Sequence, residues 1–264
     1  MPVLKSFDGG RIFGATWGSG VPSVVALHGW QRTHSDFDGV FGDPEFAASH
    51  AAIGLDLFGF GATPPPPEPW GADEYARHLL PLFDGADPLA ERVTVVGHSF
   101  GGRVAVRLAA LAPDRIDRLV LTGAPLLNRE GPRASPALSF RVGRFLHRRG
   151  LVGEERMEAL RQRHGSPDYR AAAGVMRGVF VKELSERAAR GADDLAAVSC
   201  HVDLVWGAED AEVPVEVADR AQGMLRSSTL VTLPGVGHLT PTEAPGALRQ
   251  SVLGGADDGA GEVG

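Results

Sequence analysis

Residues 92–102 read R-V-T-V-V-G-H-S-F-G-G, a β-branched run that passes straight into Gly97-His98-Ser99-Phe100-Gly101 and then into a helical pattern. A serine in a G-x-S-x-G turn between strand and helix has the setting of a nucleophile, because so sharp a turn lifts its hydroxyl above the sheet edge. Side chains two residues either side of the serine would collide with the turn, and glycine at 97 and 101 removes that collision. The N-terminus of the following helix favours developing negative charge. The alternative for Ser99, a plain N-cap in a glycine-rich turn, explains neither the paired glycines nor the strand.

A serine hydroxyl is a poor nucleophile unless a neighbouring base takes its proton. His238 closes the run Gly235-Val236-Gly237-His238 after the last strand candidate, which brings it to the sheet edge where Ser99 emerges. It is the candidate general base. His98 is the obvious rival, but an adjacent side chain on that turn points away from the serine. A histidine base needs a carboxylate to hold its tautomer and stabilise the imidazolium. Asp210, in Trp206-Gly207-Ala208-Glu209-Asp210, follows a strand candidate at the same edge. Glu209 next to it stays open as the acid, whereas Asp203 inside the strand is not expected to reach.

Those three side chains need a scaffold that brings strand ends together. Near-continuous apolar runs at Ser23–Leu27, Ala51–Leu55, Arg92–Val96, Arg118–Thr122, Val202–Trp206 and Ser228–Leu233 predict buried strands. Helical spacing fills Tyr75–Phe83, Gly101–Ala112, Val215–Leu225 and Ala244–Leu253 between them. The alternation implies βαβ units and an α/β fold whose mostly parallel sheet is covered by helices on both faces. Residues 125–190 show helical patterns without strands and read as an inserted helical cap; residues 1–124 and 191–253 then form the core. In the insertion, Ser135-Pro136 and Ser166-Pro167 look like helix starts and Gly150 like a stop, with the second helix running towards Arg187. From Leu126 to Arg190 there are 14 basic and 7 acidic residues, a net of +7 within a chain of net −7. Arg141, Arg144 and Arg148 share one helical face there, a stripe open to an anionic substrate. Arginine outnumbers lysine 24 to 2, however, and a solvated helix face is the plainer reading of the stripe.

Composition excludes much else. Net charge −7 argues against a nucleic-acid partner, and the lone Cys200 excludes an intramolecular disulfide and any multi-cysteine metal site. No apolar run approaches membrane-span length, and MPVLKSFDGG lacks the apolar segment of a signal peptide, so a cytoplasmic protein is expected. No cluster has metal-ligand spacing, and Gly59-Phe60-Gly61 is no phosphate loop. No metal or cofactor is called for. Residues 254–264, glycine-rich and acidic, are expected to be disordered.

With these motifs in place the chain resembles an α/β-hydrolase-fold protein over nearly all its length to Leu253. His28-Gly29-Trp30 after the third-strand candidate, Asp56-Leu57-Phe58-Gly59-Phe60-Gly61, the Ser99 elbow, the Asp210 loop and Gly237-His238 stand in family order. The resemblance implies a serine hydrolase with the order nucleophile, acid, histidine at Ser99, Asp210 and His238. It also implies oxyanion donors at the backbone N–H groups of Phe100 and Trp30. Dehalogenases and epoxide hydrolases of this fold carry aspartate where this chain has Ser99. The small-molecule acyl substrate is not named by these motifs: ester, lactone, thioester and C–C cleavage stay open. So do an acyl transferase, a cofactor-free lyase or a ligand receptor that retains the triad.

Overall fold

The structure, a computed structural model, describes residues 2–83, 89–128, 145–147, 149–164 and 167–254. Eight strands form one sheet: β1 (Val3–Phe7), β2 (Ile12–Gly18), β3 (Val24–Leu27), β4 (Ala51–Asp56), β5 (Val93–His98), β6 (Ile116–Thr122), β7 (His201–Gly207) and β8 (Ser228–Leu233). Their order is β1-β2-β4-β3-β5-β6-β7-β8. The pairs β1–β2 and β2–β4 are antiparallel and the other five are parallel. The helices are α1 (Asp38–Phe41), α2 (Pro44–Ser49), α3 (Ala72–Leu79), α4 (Phe100–Leu111), α5 (Glu154–His164), α6 (Pro167–Ala171), α7 (Gly174–Ala196), α8 (Val215–Gln222), α9 (Thr240–Glu243) and α10 (Pro245–Val252).

The period of two along each strand sorts its side chains between two cores. Val25, Leu27, Ile53, Leu55, Val95, Leu119 and Leu204 share a cluster with Tyr75 and Leu79 of α3, Val104 and Leu108 of α4, and Val217 of α8. Their neighbours Val24, Ala26, Ala52, Val96, Val120 and Val205 face the other way, onto Phe41 of α1, Phe46 of α2 and Leu248 and Val252 of α10. Both faces of the central strands are therefore apolar, which is why they read as unbroken hydrophobic runs.

All six expected strands are present, with ends that differ by at most two residues. β1 and β2 escaped prediction. Val3 and Leu4 are exposed on the edge strand β1, and β2 is interrupted by Gly14, so neither carries a clean apolar signature. The long helix expected to start at Ser166-Pro167 is two helices. Ala173 is extended (φ −126°, ψ 161°) and Gly174 takes φ +53°, which interrupts the helical ladder between α6 and α7. Helix α7 then continues through Arg190 to Ala196, so residue 190 lies inside a helix. Ser166, the Ser135-Pro136 start and the stripe of Arg141, Arg144 and Arg148 lie outside the described residues, as does the tail from residue 255. Among the described residues no helix is long and apolar enough to cross a membrane.

A buried ionic cluster joins α4 to α7. Arg103, 1% exposed, reaches Glu183 (3.3 Å) and Asp194 (3.5 Å); Arg107 reaches Asp194 (3.0 Å) and also Asp73 of α3. Removing one partner of a buried pair leaves an uncompensated charge, so Asp194→Ala should lower the unfolding free energy by about 3–5 kcal/mol. Urea denaturation measures this; a loss no larger than that of an exposed acidic residue would show that the cluster contributes little.

Candidate active site

The sharp turn after β5 holds Ser99 at φ 49°, ψ −116°, a conformation L-residues rarely adopt. The flanking glycines are needed, but the collision they avoid is with neighbouring backbone rather than with the serine. A Cβ at Gly97 would lie 2.6 Å from Gly102 Cα, and one at Gly101 would overlap the carbonyl oxygen of Leu27 at the end of β3.

The structure brings together all three residues singled out by type and spacing. His238 Nε2 lies 3.1 Å from Ser99 Oγ, and His238 Nδ1 lies 2.9 Å from Asp210 Oδ2. The other Asp210 oxygen accepts the N–H groups of Glu212 (2.9 Å) and Val213 (2.8 Å), which fixes the carboxylate in the loop after β7. Glu209 is exposed; its backbone N–H instead donates to Val236 O, tying the Asp210 loop to the His238 loop. Asp203 is engaged by Arg118, His201 and Thr229. Burial lowers the His238 pKa, but the Asp210 hydrogen bond and the charges of Asp210, Glu212 and Asp168 outweigh it and raise it above the ordinary value. Glu212 Oε2 also stands 3.5 Å from His238 Nε2, at the exposed side of the ring.

His98 is no rival base. Its ring is buried, and Nε2 donates to the carbonyl of His238 at 2.9 Å, so it props the loop that carries His238. Burial, helped by the neighbouring His238 ring, pushes its pKa down to about 4. His28 is likewise buried and held at about 4 by desolvation. It donates from Nδ1 to Gly29 O and accepts the Leu57 N–H at Nε2, joining the loops after β3 and β4. Asp56 does similar work, accepting the N–H groups of His34 and Ala62.

A cavity of about 190 Å³ opens beside Ser99 and His238. Trp30 and Phe100 line it from the sheet side; Phe180, Glu183, Leu184 and Arg187 line it from α7, and Asp168 from α6. The Trp30 ring meets those of Phe60, Phe100 and Phe180 at centroid distances of 5.0, 5.7 and 5.2 Å, forming an aromatic wall. Two contributors went unnoticed in the sequence. Gly123 has φ +54°, and a Cβ there would lie 3.0 Å from the His238 ring, yet a single glycine after a strand gives no signal. Glu183 sits on a helix whose inward face only packing defines. Burial pushes its pKa up to about 7 against the opposing pull of Arg103 and Arg187.

A serine on a strand–helix elbow, at the C-terminal edge of a mostly parallel sheet, facing a histidine and a carboxylate from two later strand ends, defines an α/β-fold hydrolase. The model of the alpha/beta hydrolase family matches residues 24–250, and the chain belongs to that family. It is 26% identical over 237 residues to the 2-hydroxy-6-oxo-2,4-heptadienoate hydrolase of Pseudomonas putida, covering 86% of this chain and 82% of that one. The structure of 2-hydroxy-6-oxo-6-phenylhexa-2,4-dienoate hydrolase from Rhodococcus sp. strain RHA1 superposes with a TM-score of 0.69 at 22% identity, over 97% of this chain and 98% of that chain. The thioesterase domain from the curacin biosynthetic pathway gives 0.68 at 20% identity, over 96% and 99%. At such identities the structural likeness speaks for the fold.

The buried histidines set a stability profile. As pH falls from the ordinary histidine value of 6.5 towards about 4, the unfolded chain takes up protons that folded His28 and His98 refuse, so stability falls. Glu183 opposes this, because the folded state protonates it from about 7 whereas the unfolded chain waits until 4.5. The Tm should therefore drop between pH 7 and pH 4, and drop more steeply in Glu183→Gln. A Tm flat across that range would contradict the assignment of both histidines as neutral.

Proposed function

We propose that this chain is a serine hydrolase of small acyl compounds, using Ser99, His238 and Asp210 as nucleophile, base and acid. The observation that carries the reading is the continuous hydrogen-bonded line from Asp210 Oδ2 through the imidazole of His238 to Ser99 Oγ. With Asp210 accepting the Nδ1 proton, Nε2 is left bare towards the hydroxyl, the tautomer a general base needs. Ser99 Oγ attacks the acyl carbonyl while its proton passes to His238 Nε2. The imidazolium, stabilised by Asp210, then protonates the leaving group, and an acyl-enzyme remains. Water attacks that ester with His238 again as base and frees Ser99.

The tetrahedral oxyanion needs donors, and we assign them to the backbone N–H groups of Phe100 and Trp30. Both residues line the cavity beside Ser99, which supports the assignment. The helices between β6 and β7 act as a cap whose α6 and α7 side chains shape the acyl pocket. A carboxylic ester is the first bond to test, followed by thioester, lactone and the C–C bond of a β-diketone.

Ser99→Ala and His238→Ala should each lower kcat/KM for p-nitrophenyl esters by about 10⁴-fold or more, and the double variant should be hardly worse, since such residues act as a unit. A fluorophosphonate probe should label the wild type and not Ser99→Ala. Labelling without turnover of any ester would favour an acyl transferase or a receptor, and activity retained in Ser99→Ala would end the covalent mechanism.

The rate should also rise with pH through an apparent pKa above the ordinary histidine value, because Asp210, Glu212 and Asp168 together outweigh desolvation of His238. Glu212→Gln and Asp168→Asn should each move that pKa down, and Asp210→Asn should depress the rate itself. If Glu209→Gln is the damaging change and Asp210→Asn is silent, the acid is misassigned.

A further inference from the structure

Residues 126–190 sum to +7, which by itself suggests a mouth that attracts anions. The described groups that line the cavity beside Ser99 have the opposite balance. They are the carboxylates of Asp168, Glu183 and Glu212 against the guanidinium of Arg187. Asp168 and Glu212 act on the site already, since both raise the pKa of His238. Among the described residues, the positive sum of the segment therefore does not carry over to the lining of the cavity.

Glu183 is the distinctive member. It is 7% exposed, yet it lines the cavity. Its Oε1 accepts from Arg103 Nε at 3.3 Å, while among the described residues the buried Oε2 has no hydrogen-bond partner. Folded proteins keep few such acceptors, and one that lines a ligand cavity is placed to be satisfied by the ligand. Arg103 is shared between Glu183 and Asp194, and Asp194 is also paired with Arg107. Arg187, one turn along α7, favours the charged form of Glu183, and among the described lining residues it is the one guanidinium, beside the His238 imidazole, against three carboxylates. Beside them the wall is apolar: Trp30, Phe100, Phe180 and Leu184.

We propose that this cavity selects substrates carrying an ammonium group on a short apolar chain, with Glu183 Oε2 as the acceptor of the ammonium and Asp168 and Glu212 adding negative potential around it. The ammonium would give the buried oxygen a charge-assisted donor, and the methylenes would lie on the aromatic wall. As a statement about substrates this rests on the serine-hydrolase reading; as a statement about ligand binding it stands apart from turnover.

The test compares hexylammonium, 1-hexanol and hexanoate, three ligands of one chain length and different charge. Each is measured by calorimetry and as an inhibitor of p-nitrophenyl acetate hydrolysis, with the wild type and with Glu183→Gln. Hexylammonium should bind at least about tenfold more tightly than hexanoate, with hexanol between them, and the isosteric substitution should shrink that ratio several-fold. A purely structural Glu183 would weaken all three ligands alike. Hexanoate binding as tightly as hexylammonium, no measurable binding of hexylammonium, or a ratio unchanged in Glu183→Gln would overturn the proposal. Should the variant fail to fold, the order of the three ligands on the wild type decides alone. Ammonium preference without ester turnover would count against the hydrolase mechanism only, and turnover without ammonium preference against this inference only.

Discussion

Helix α4 can begin where it does only because nothing larger than hydrogen stands at position 101, where a side chain would run into the carbonyl of Leu27. That close crossing of β3 by the turn after β5 is the constraint on which the site depends. It forces Ser99 to a positive φ, and the backbone around it is pinned in return: Gly101 N–H donates to His28 O, and Ser99 N–H to Thr122 O at the end of β6. Strain of this kind persists only where the surroundings over-determine it. Here three parallel strands do so, and the serine hydroxyl is presented with little freedom to turn away.

The partners of Ser99 are held by a second set of contacts that do not involve its hydroxyl. The loops after β7 and β8 are joined through Glu209 N–H to Val236 O, and the carboxylate of Asp210 is locked by two amides of its own loop. His98 supports the carbonyl of His238 from below, while Gly123 leaves room for the imidazole. Each contact removes a way for the imidazole of His238 to drift from the Ser99 hydroxyl 3.1 Å away.

A third set ties this rigid edge to the helices above it. Arg103 and Arg107 lie one turn apart on the helix that starts at Ser99, and both reach acidic residues of α7. The helix that follows Ser99 and the helix that walls the cavity thus share one buried ionic cluster. Glu183 belongs to both the cluster and the cavity wall, so packing of the scaffold and polarity of the pocket meet in a single side chain.

Much of this was legible without coordinates. The central strands announce themselves because burial on both faces makes them continuous apolar runs, and Gly97, Ser99 and Gly101 carry the elbow in their types and spacing. Order along the chain, with a residue at each of two later strand ends, was enough to nominate Asp210 and His238. What the sequence left open was whatever depends on a partner far along the chain. The edge strands β1 and β2 exist through pairing rather than pattern, and Asp210 is separated from Glu209 by one peptide and by which side chain turns inward. The summed charge of residues 126–190 says nothing of which charges face Ser99, since that is settled by the rotation of α6 and α7 against the sheet. Composition and periodicity are local and additive, so they determine elements and their order. The sign of a pocket and the reach of a hydrogen bond are set by a few ångströms between residues about 80 to 140 positions apart, and only the tertiary structure decides those.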